Sequence, residues 1–172
     1  IDFALSTSIV ENENVVITGV SKATELRKAP IPISVVKKAE LYRSSATNII
    51  EALTRKSGVS ALTTGPAIAK PVIRGMGYNR IITLNDGMRQ EGQQWGDEHG
   101  IEIDEYSVQK VEILRGPASL MYGSDALGGV INILTNTPMS EGTLKANVVL
   151  SNNANNNLWG FHGNVAGNVK GI

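Results

Sequence analysis

The side chains best suited to chemistry in this sequence are the three neighbours Asp97, Glu98 and His99. Carboxylate oxygens and an imidazole nitrogen are ligands that zinc and other divalent metals accept. Three consecutive side chains cannot all point at one ion, so at most two of them would bind it. The same residues also fit a solvated acidic turn in which His99 binds nothing. The sequence leaves both interpretations open.

Trp95 lies just before these residues and adds a flat apolar ring to the same segment. Such a ring stacks on planar ligands such as a catecholate, haem or a corrin. Metal donors beside an aromatic surface suit a metal chelate as the ligand. They do not identify the metal. The segment that carries them, residues 91–107, is rich in Gly, Gln, Asp and Glu and is long enough for a functional loop.

Other spacings that carry chemistry in proteins are incomplete here. The glycines before Val130 are not followed by the lysine and hydroxyl residue of a phosphate-binding loop. Gly75-Met76-Gly77 has Arg80 where a dinucleotide fingerprint needs its third glycine. The sequence has no Gly-x-Ser-x-Gly elbow, and its imidazoles are His99 and His162. These patterns favour turn glycines and predict that the chain is not an enzyme.

Composition limits the possible partners. The chain has 172 residues, which is enough for one domain with a real core. Its 16 basic and 16 acidic residues balance, so no nucleic-acid partner is indicated. Cysteine is absent, which excludes disulfide frameworks and thiolate metal sites. No apolar run reaches roughly 18 residues, so membrane association would have to come through a barrel.

The elements that position these residues form a mixed α/β (α+β) pattern. Asn48 and Glu51 fit a capping box, and the apolar stripe of Ile49, Ile50 and Leu53, with Gly58 closing the turn, predicts a helix over residues 47–57. Pro30 and Pro32 confine the strand that follows them to a sheet edge or a loop. Strands are predicted near residues 15–19, 33–36, 72–74, 80–84, 88–90, 111–114 and 130–134, with a hairpin turn at 85–87.

Apolar and polar residues alternate near the end of the chain. Leu144, Ala146, Val148 and Leu150 occupy every second position, and the alternation resumes after an Asn-rich turn at residues 152–157. The resumed positions are Trp159, Phe161, Gly163 and Val165. This dyad pattern is typical of a membrane barrel strand pair with aromatic girdle residues. Periodicity alone leaves an ordinary soluble hairpin equally possible.

The longest ordered motif runs from residue 111 to residue 133. Two apolar strands, one at Val111 and one at Val130, are joined through Gly116-Pro117, Tyr122-Gly123 and Gly128-Gly129, which force tight bends. This arrangement resembles the closing signature of the plug domain of TonB-dependent outer-membrane receptors. Glu13 to Gly19, Val72 to Gly75, Leu114 to Pro117 and Asn132 to Pro138 resemble that family's TonB box, two arginine-glycine strands and exit to the barrel.

The resemblance implies three parts. Residues 1–12 would be a lead-in or the tail of a missing upstream domain, residues 13–138 the plug, and residues 139–172 the first barrel strands. The whole protein would be an outer-membrane barrel of about 22 strands closed by this plug. It would import a metal, siderophore or other metal chelate, so any metal would be cargo and no cofactor is expected. A stand-alone plug-like binding module, or a receptor for a glycan or cobalamin, is the alternative.

The resemblance assigns a partner to the first strand. Val15, Val16, Ile17, Thr18 and Gly19 would form the TonB box, which adds as a strand to the periplasmic TonB protein. An internal plug strand would have the same β-branched composition. We expect bound cargo, sensed by residues 75–79 and 91–100, to loosen the segment before Val15 so that TonB can engage it.

The resemblance also assigns roles to charged and aromatic residues. Arg74 and Arg115 would pair with glutamates of the protein's own barrel and lock the plug to its wall, because the arginine fork binds carboxylates in two places. A surface arginine is the alternative. Residues of two extracellular loops would touch the metal-chelate ligand: Tyr78, Trp95, Asp97, Glu98 and His99.

Overall fold

The computed structural model describes residues 15–16, 18, 24–25, 32–44, 46–65, 68–92, 96–135, 139–154 and 157–168. Its helices and strands are, in chain order, β1 (Val15–Val16), β2 (Thr24–Glu25), β3 (Ile33–Lys37), α1 (Lys38–Arg43), α2 (Ile49–Leu53), β4 (Val59–Gly65), β5 (Ile68–Ile73), β6 (Ile81–Asn85), β7 (Met88–Gln90), β8 (Val108–Leu114), β9 (Gly129–Thr135), β10 (Thr143–Asn153) and β11 (Leu158–Asn168). Short 3-10 turns lie at Tyr78–Arg80, Glu105–Ser107, Pro117–Tyr122 and Ser124–Ala126.

The centre of the fold is a five-stranded sheet with the order β3-β8-β9-β6-β7. Strands β6 and β9 run parallel, and the other neighbours are antiparallel. The small mixed sheet that the sequence predicted is therefore confirmed. Strand β3 lies at the edge of this sheet, as Pro30 and Pro32 predicted. Three two-stranded sheets, β1-β2, β4-β5 and β10-β11, complete the described fold.

The larger hydrophobic core lies between one face of the five-stranded sheet, helix α2 and the β4-β5 pair. Its fully buried members include Ile73, Ile113 and Ile131, each with no exposed surface. Strands β8 and β9 consist mostly of Val, Ile and Leu because both of their faces are covered. A smaller cluster on the other face contains Ile82, Leu84, Leu114, Ala126 and Val130. The sheet is thus the middle layer of the domain.

Helix α2 begins at the predicted cap but is shorter than predicted. Asn48 Oδ1 accepts a hydrogen bond from the Glu51 backbone N–H at 2.9 Å, and Glu51 Oε2 accepts one from the Thr47 backbone N–H at 2.9 Å. The helix ends at Leu53 rather than at residue 57, because the apolar stripe ends there and exposed polar residues follow. Gly58, at φ +77°, then turns the chain into β4.

Helix α1, strand β4 and the two-residue strand β2 were not predicted from the sequence. Helix α1 has no buried residue, so it carries no apolar stripe for a pattern to reveal. Strand β4 is rich in Ser and Thr and exposed along most of its length, and it pairs with β5, which begins earlier than predicted and contains Pro71. Among the described residues, no helix combines the length and the apolar character needed to cross a membrane.

The predicted hairpin turn and the glycine-rich motif each depend on residues with a positive φ angle. Asp86 and Gly87, at φ +49° and +84°, form the predicted two-residue hairpin turn between β6 and β7. At Gly129, which has φ +149°, an added Cβ would lie 2.7 Å from the Leu114 carbonyl oxygen and 3.0 Å from Ile73 Cδ1. This glycine therefore lets β9 approach β8 and the main core closely.

Strands β10 and β11 form a long antiparallel hairpin in which the two faces differ. One face carries Leu150 opposite Phe161, and Val165 opposite Ala146, with Leu150 and Phe161 each more than 70% exposed. The other face carries mostly polar residues and includes His162. The alternation seen in the sequence is therefore a strand alternation, with its apolar side turned away from the rest of the chain.

Candidate functional site

Two of the predicted ligand contacts lie together in the fold. The Tyr78 hydroxyl donates a hydrogen bond to Asp97 Oδ1 at 2.9 Å, and the Thr64 hydroxyl donates one to the Asp97 carbonyl oxygen at 2.8 Å. Tyr78 opens the 3-10 turn before β6, and Thr64 lies near the end of β4. The loop at residues 96–97 is thus tied to two separate strand ends.

A buried lysine completes this arrangement. Lys70 of β5 is 3% exposed, and its Nζ donates a hydrogen bond to the Gly96 carbonyl oxygen. The same ammonium group lies 4.9 Å from the centre of the Tyr78 ring, a cation–π contact. One cation therefore stabilises both the loop at residues 96–97 and the aromatic ring beside it. We call Lys70, Tyr78, Gly96 and Asp97 the loop clamp.

The loop clamp shapes the properties of Tyr78. Its backbone lies at φ +54°, a left-handed conformation that costs free energy for any residue with a side chain. The hydrogen bond to the Asp97 carboxylate, aided by burial and by the charge of Asp97, raises the pKa of the Tyr78 phenol above its ordinary value. The ring remains 43% exposed. The backbone is strained, and the exposed ring is held in one orientation. Such a ring is a suitable contact for a planar ligand.

The remaining ligand candidates are Glu98, His99 and Trp95. Glu98 and His99 are exposed, and Trp95 lies outside the residues that the structure describes. Within the described parts of the chain, no group of three or more His, Asp or Glu side chains is placed to hold a metal ion. The sequence predicted that at most two of Asp97, Glu98 and His99 would bind one ion. Their metal role therefore stays a prediction.

The two arginines predicted to lock the plug meet at one turn. Arg115 donates from Nη1 to the Ser57 carbonyl oxygen and from Nη2 to the Ser34 hydroxyl. The backbone N–H of Arg74, at φ +51°, donates to the Gly58 carbonyl oxygen at 3.0 Å. Among the described residues, neither guanidinium forms an ion pair with a carboxylate. The Arg115 guanidinium and the Arg74 backbone therefore meet at the same turn, and neither arginine has an acidic partner among the described residues.

The TonB box candidate is only partly described. Val15–Val16 forms a short strand with Thr24–Glu25, and Ile17 and Gly19 lie outside the described residues. Thr18 is 1% exposed, and its backbone N–H donates to Glu112 Oε2 at 2.7 Å. The candidate segment therefore meets the central sheet at Thr18.

The C-terminal hairpin contacts the rest of the chain through its polar face. The His162 ring stacks on the Tyr106 ring with 4.3 Å between centres and an 8° angle between planes. Tyr106 in turn lies 6.3 Å from the Tyr42 ring of α1. Its carbonyl oxygen accepts a hydrogen bond from Lys38 Nζ at 3.2 Å. The polar face of the hairpin is the inner one, and the apolar face is the outer one.

Three site residues were missed by reading the sequence for motifs. Lys70, Glu112 and Asn132 are each buried polar residues inside apolar strands. The signal was present, because a charged or amide residue in a buried strand must have a partner. Glu112 has one partner nearby, Lys110 of the same strand. The hydrogen bonds to Gly96 and Thr18 span 26 or more positions, which no local pattern reveals.

Comparison with known proteins identifies strong similarities. Residues 25–130, more than half of the chain, match the family model described as the TonB-dependent Receptor Plug Domain. The iron-regulated outer membrane virulence protein of Vibrio cholerae is 34% identical over 151 residues, which are 83% of this chain and 23% of that protein. The vitamin B12 transporter BtuB of Photobacterium profundum is 29% identical over 159 residues, 92% of this chain and 26% of that protein.

Solved structures agree with these matches. The siderophore receptor PirA of Pseudomonas aeruginosa superposes with a TM-score of 0.54 at 29% identity, over 72% of this chain and 21% of that one. The chain spans about a quarter of the length of the relatives that it matches.

Proposed function

Because this chain belongs to the TonB-dependent receptor plug domain family, a domain of outer-membrane receptors, we propose that it gates an energy-coupled importer of a metal, siderophore or other metal chelate. The observation that carries the proposal is the loop clamp, in which Tyr78 of the 3-10 turn bonds Asp97 of the loop that buried Lys70 holds. The plug would bind and sense cargo and would catalyse nothing.

Iron chelates are the favoured cargo. One relative, 34% identical, is named an iron-regulated outer membrane virulence protein, and a similar solved structure is named a siderophore receptor. The exposed Tyr78 ring suits an aromatic chelate, and Asp97, Glu98 and His99 supply donors for a metal at its edge. Trp95 belongs to the same proposed contact surface. The metal enters as part of the cargo.

Residues 139–172 are proposed to begin the barrel wall, after a plug at residues 13–138 and a lead-in at 1–12. The outward apolar face of β10 and β11 would contact lipid, and the inward face with His162 would contact the plug. A soluble binding module would leave the exposed side chains of Leu150, Trp159 and Phe161 in water. That face therefore favours the barrel over the stand-alone module.

Arg74 and Arg115 are proposed to lock the plug to the protein's own barrel. The Arg115 guanidinium binds the Ser57 carbonyl oxygen and the Arg74 backbone N–H binds that of Gly58, and neither arginine forms an ion pair among the described residues. Carboxylates from the barrel wall would neutralise both cations. Removing either arginine would then weaken the seating of the plug in the barrel.

The segment from Val15 to Gly19 is proposed to bind TonB by strand addition. In the part of the chain that the structure describes, Val15–Val16 is extended and pairs antiparallel with Thr24–Glu25 of β2. A segment that forms backbone pairs as a strand can offer the same backbone groups to the edge of a partner sheet. A pulling force from TonB would then be shared among several backbone hydrogen bonds.

Cobalamin is the second candidate cargo. The relative named as a vitamin B12 transporter matches 92% of this chain, and a corrin ring would stack on Tyr78 as a catecholate does. Calorimetry of the full-length receptor with a ferric catecholate siderophore, hemin and cyanocobalamin distinguishes the candidates. We expect binding of one iron chelate, weakened by Tyr78→Ala and unchanged by the control Tyr42→Ala. Exclusive binding of cyanocobalamin would establish the second candidate, and binding of none would overturn the proposal.

A further inference from the structure

Thr18 is held by two buried polar side chains on one face of the central sheet. Its backbone N–H donates to Glu112 Oε2 at 2.7 Å, and its hydroxyl oxygen accepts from Asn132 Nδ2 at 3.0 Å. Thr18, Glu112 and Asn132 are 1%, 0% and 3% exposed. The contact joins residues 94 and 114 positions apart, so it ties the start of the chain to the centre of the fold.

The sheet places these two side chains for a common ligand. Glu112 of β8 and Asn132 of β9 are directly opposed in register, so their side chains project from the same face. Lys110 Nζ contacts the other carboxylate oxygen, Glu112 Oε1, at 3.0 Å. One carboxylate oxygen thus contacts an ammonium group of the same strand, and the other accepts a hydrogen bond from the N–H of Thr18. A buried carboxylate that loses such a donor is strongly destabilised.

Asn132 also connects Thr18 to the loop of the proposed cargo site. Its Oδ1 accepts a hydrogen bond from the Gly87 backbone N–H at 3.2 Å, in the turn between β6 and β7. Strand β7 then leads directly into residues 91–100. One carboxamide therefore holds the N-terminal segment with its nitrogen and the hairpin that precedes the cargo loop with its oxygen.

We propose that Glu112 and Asn132 form a latch that binds Thr18 and keeps Val15–Val16 at the plug until the latch opens. This inference rests on the proposed function, in which residues 15–19 are the segment that TonB engages. Because Asn132 also binds the β6-β7 turn, a shift of that hairpin when cargo binds changes the grip on Thr18. The latch thereby links the cargo loop to the TonB segment through a single side chain.

The latch predicts graded effects for two substitutions of Thr18 and no effect for a control. Thr18→Pro removes the backbone N–H that donates to Glu112, and Thr18→Val removes only the hydroxyl that binds Asn132. Thr18 lies outside the strands of the central sheet. Thr83→Val is the control, because the Thr83 hydroxyl is buried in the same sheet without a hydrogen-bond partner among the described residues. It should leave the N-terminal segment in place.

The test uses the full-length receptor with all native cysteines removed and a spin label on Val16→Cys, a choice that this chain allows because it contains no cysteine. Electron paramagnetic resonance without TonB and without cargo reports the ratio of mobile to immobile label. We expect Thr18→Pro to raise that ratio roughly tenfold or more and Thr18→Val to raise it less, because the bond to the carboxylate is the stronger one. Thr83→Val should not change it.

An unchanged ratio in Thr18→Pro, in a receptor that still folds by circular dichroism, would overturn the latch. A second measurement, the affinity of the TonB periplasmic domain for the unlabelled wild type and for unlabelled Thr18→Val, separates this failure from failure of the proposed function, because both keep every backbone N–H of residues 15–19. A mobile label in Thr18→Pro with no TonB binding by the wild type or Thr18→Val would support the latch and overturn the TonB contact. TonB binding by wild type with a label immobile in every variant would support the contact and overturn the latch.

Discussion

The hydroxyl of Tyr78 donates a hydrogen bond to Oδ1 of Asp97 across 2.9 Å, although the two residues lie 19 positions apart in the sequence. Tyr78 belongs to a strained turn and Asp97 to an exposed loop, and buried Lys70 contacts both of these segments. The relationship gives the proposed cargo surface a defined shape before any cargo is bound. It also makes the surface testable by titration.

The first prediction concerns the pKa of Tyr78. Its folded pKa is raised, mainly by donation of the phenol proton to Asp97. The contact therefore stabilises the fold fully below the ordinary tyrosine pKa of about 10, and this contribution is lost as pH rises through the folded value. Asp97→Asn should lower the pKa of Tyr78. Ultraviolet titration, with Tyr78→Phe to assign the signal, measures it, and an unchanged pKa would show that the hydrogen bond does not persist in solution.

The second prediction concerns the cap of helix α2. Asn48→Ala should destabilise the domain by about 1 kcal/mol, because the Glu51 N–H loses its acceptor. Urea unfolding of the chain in detergent, at pH 7, measures this change. The matched control is Thr54→Ala, which removes a hydroxyl at the other end of the same helix.

The same cap predicts a pH dependence. Hydrogen bonds from the Thr47 side chain and backbone lower the pKa of Glu51. A lowered folded pKa means that this stabilisation is present above the ordinary glutamate pKa of about 4.3 and is lost as pH falls through the folded value. Glu51→Gln should therefore reduce stability at pH 7 and make little difference at pH 3. An equal loss at both pH values would argue against the cap.

The third prediction separates the two arginines. Arg115→Ala should destabilise the plug itself by roughly 1–3 kcal/mol, because the Ser57 carbonyl and the Ser34 hydroxyl lose a charged donor. Arg74→Ala removes a side chain for which the described residues provide no ion pair, so it should leave plug unfolding almost unchanged. In the full-length receptor, however, both variants should make the plug easier to extract with urea. Normal retention of the plug in both would contradict the proposed lock.

The fourth prediction compares two glycines of positive φ. Gly129→Ala should cost more than about 2 kcal/mol, since its Cβ would meet the Leu114 carbonyl oxygen and Ile73 in addition to an unfavourable backbone angle. Gly75→Ala, at φ +79° with open space around it, should cost only about 1 kcal/mol. Urea unfolding of the two variants measures the difference. Equal effects would mean that β9 can move away from β8.

Local sequence patterns predicted the elements that depend on neighbouring residues. The cap at Asn48, the turn at Asp86-Gly87 and the edge position of β3 after Pro32 each follow from the residue itself and those beside it. The motif at residues 111–133 further indicated the family that the comparison then matched. The family motifs therefore predict the fold class from the sequence alone.

The elements that escaped prediction depend on distant residues. Helix α1 lacks a buried face, and β4 is exposed along most of its length, so neither has a hydrophobic period to detect. Lys70 and Glu112 are charged residues within buried strands, and only the fold shows that they hydrogen-bond Gly96 and Thr18. Chemistry that joins separate segments requires the tertiary structure.

The proposal that this plug couples cargo import to TonB is tested most directly by uptake of labelled ferric siderophore. Cells expressing the full-length receptor would carry either Val16→Pro or the matched control Val16→Ala. Proline removes the backbone N–H that strand addition needs, whereas alanine keeps it. We predict that the proline variant binds the siderophore at the cell surface but loses uptake, while the alanine variant transports normally. Normal uptake by the proline variant would contradict TonB engagement through this strand.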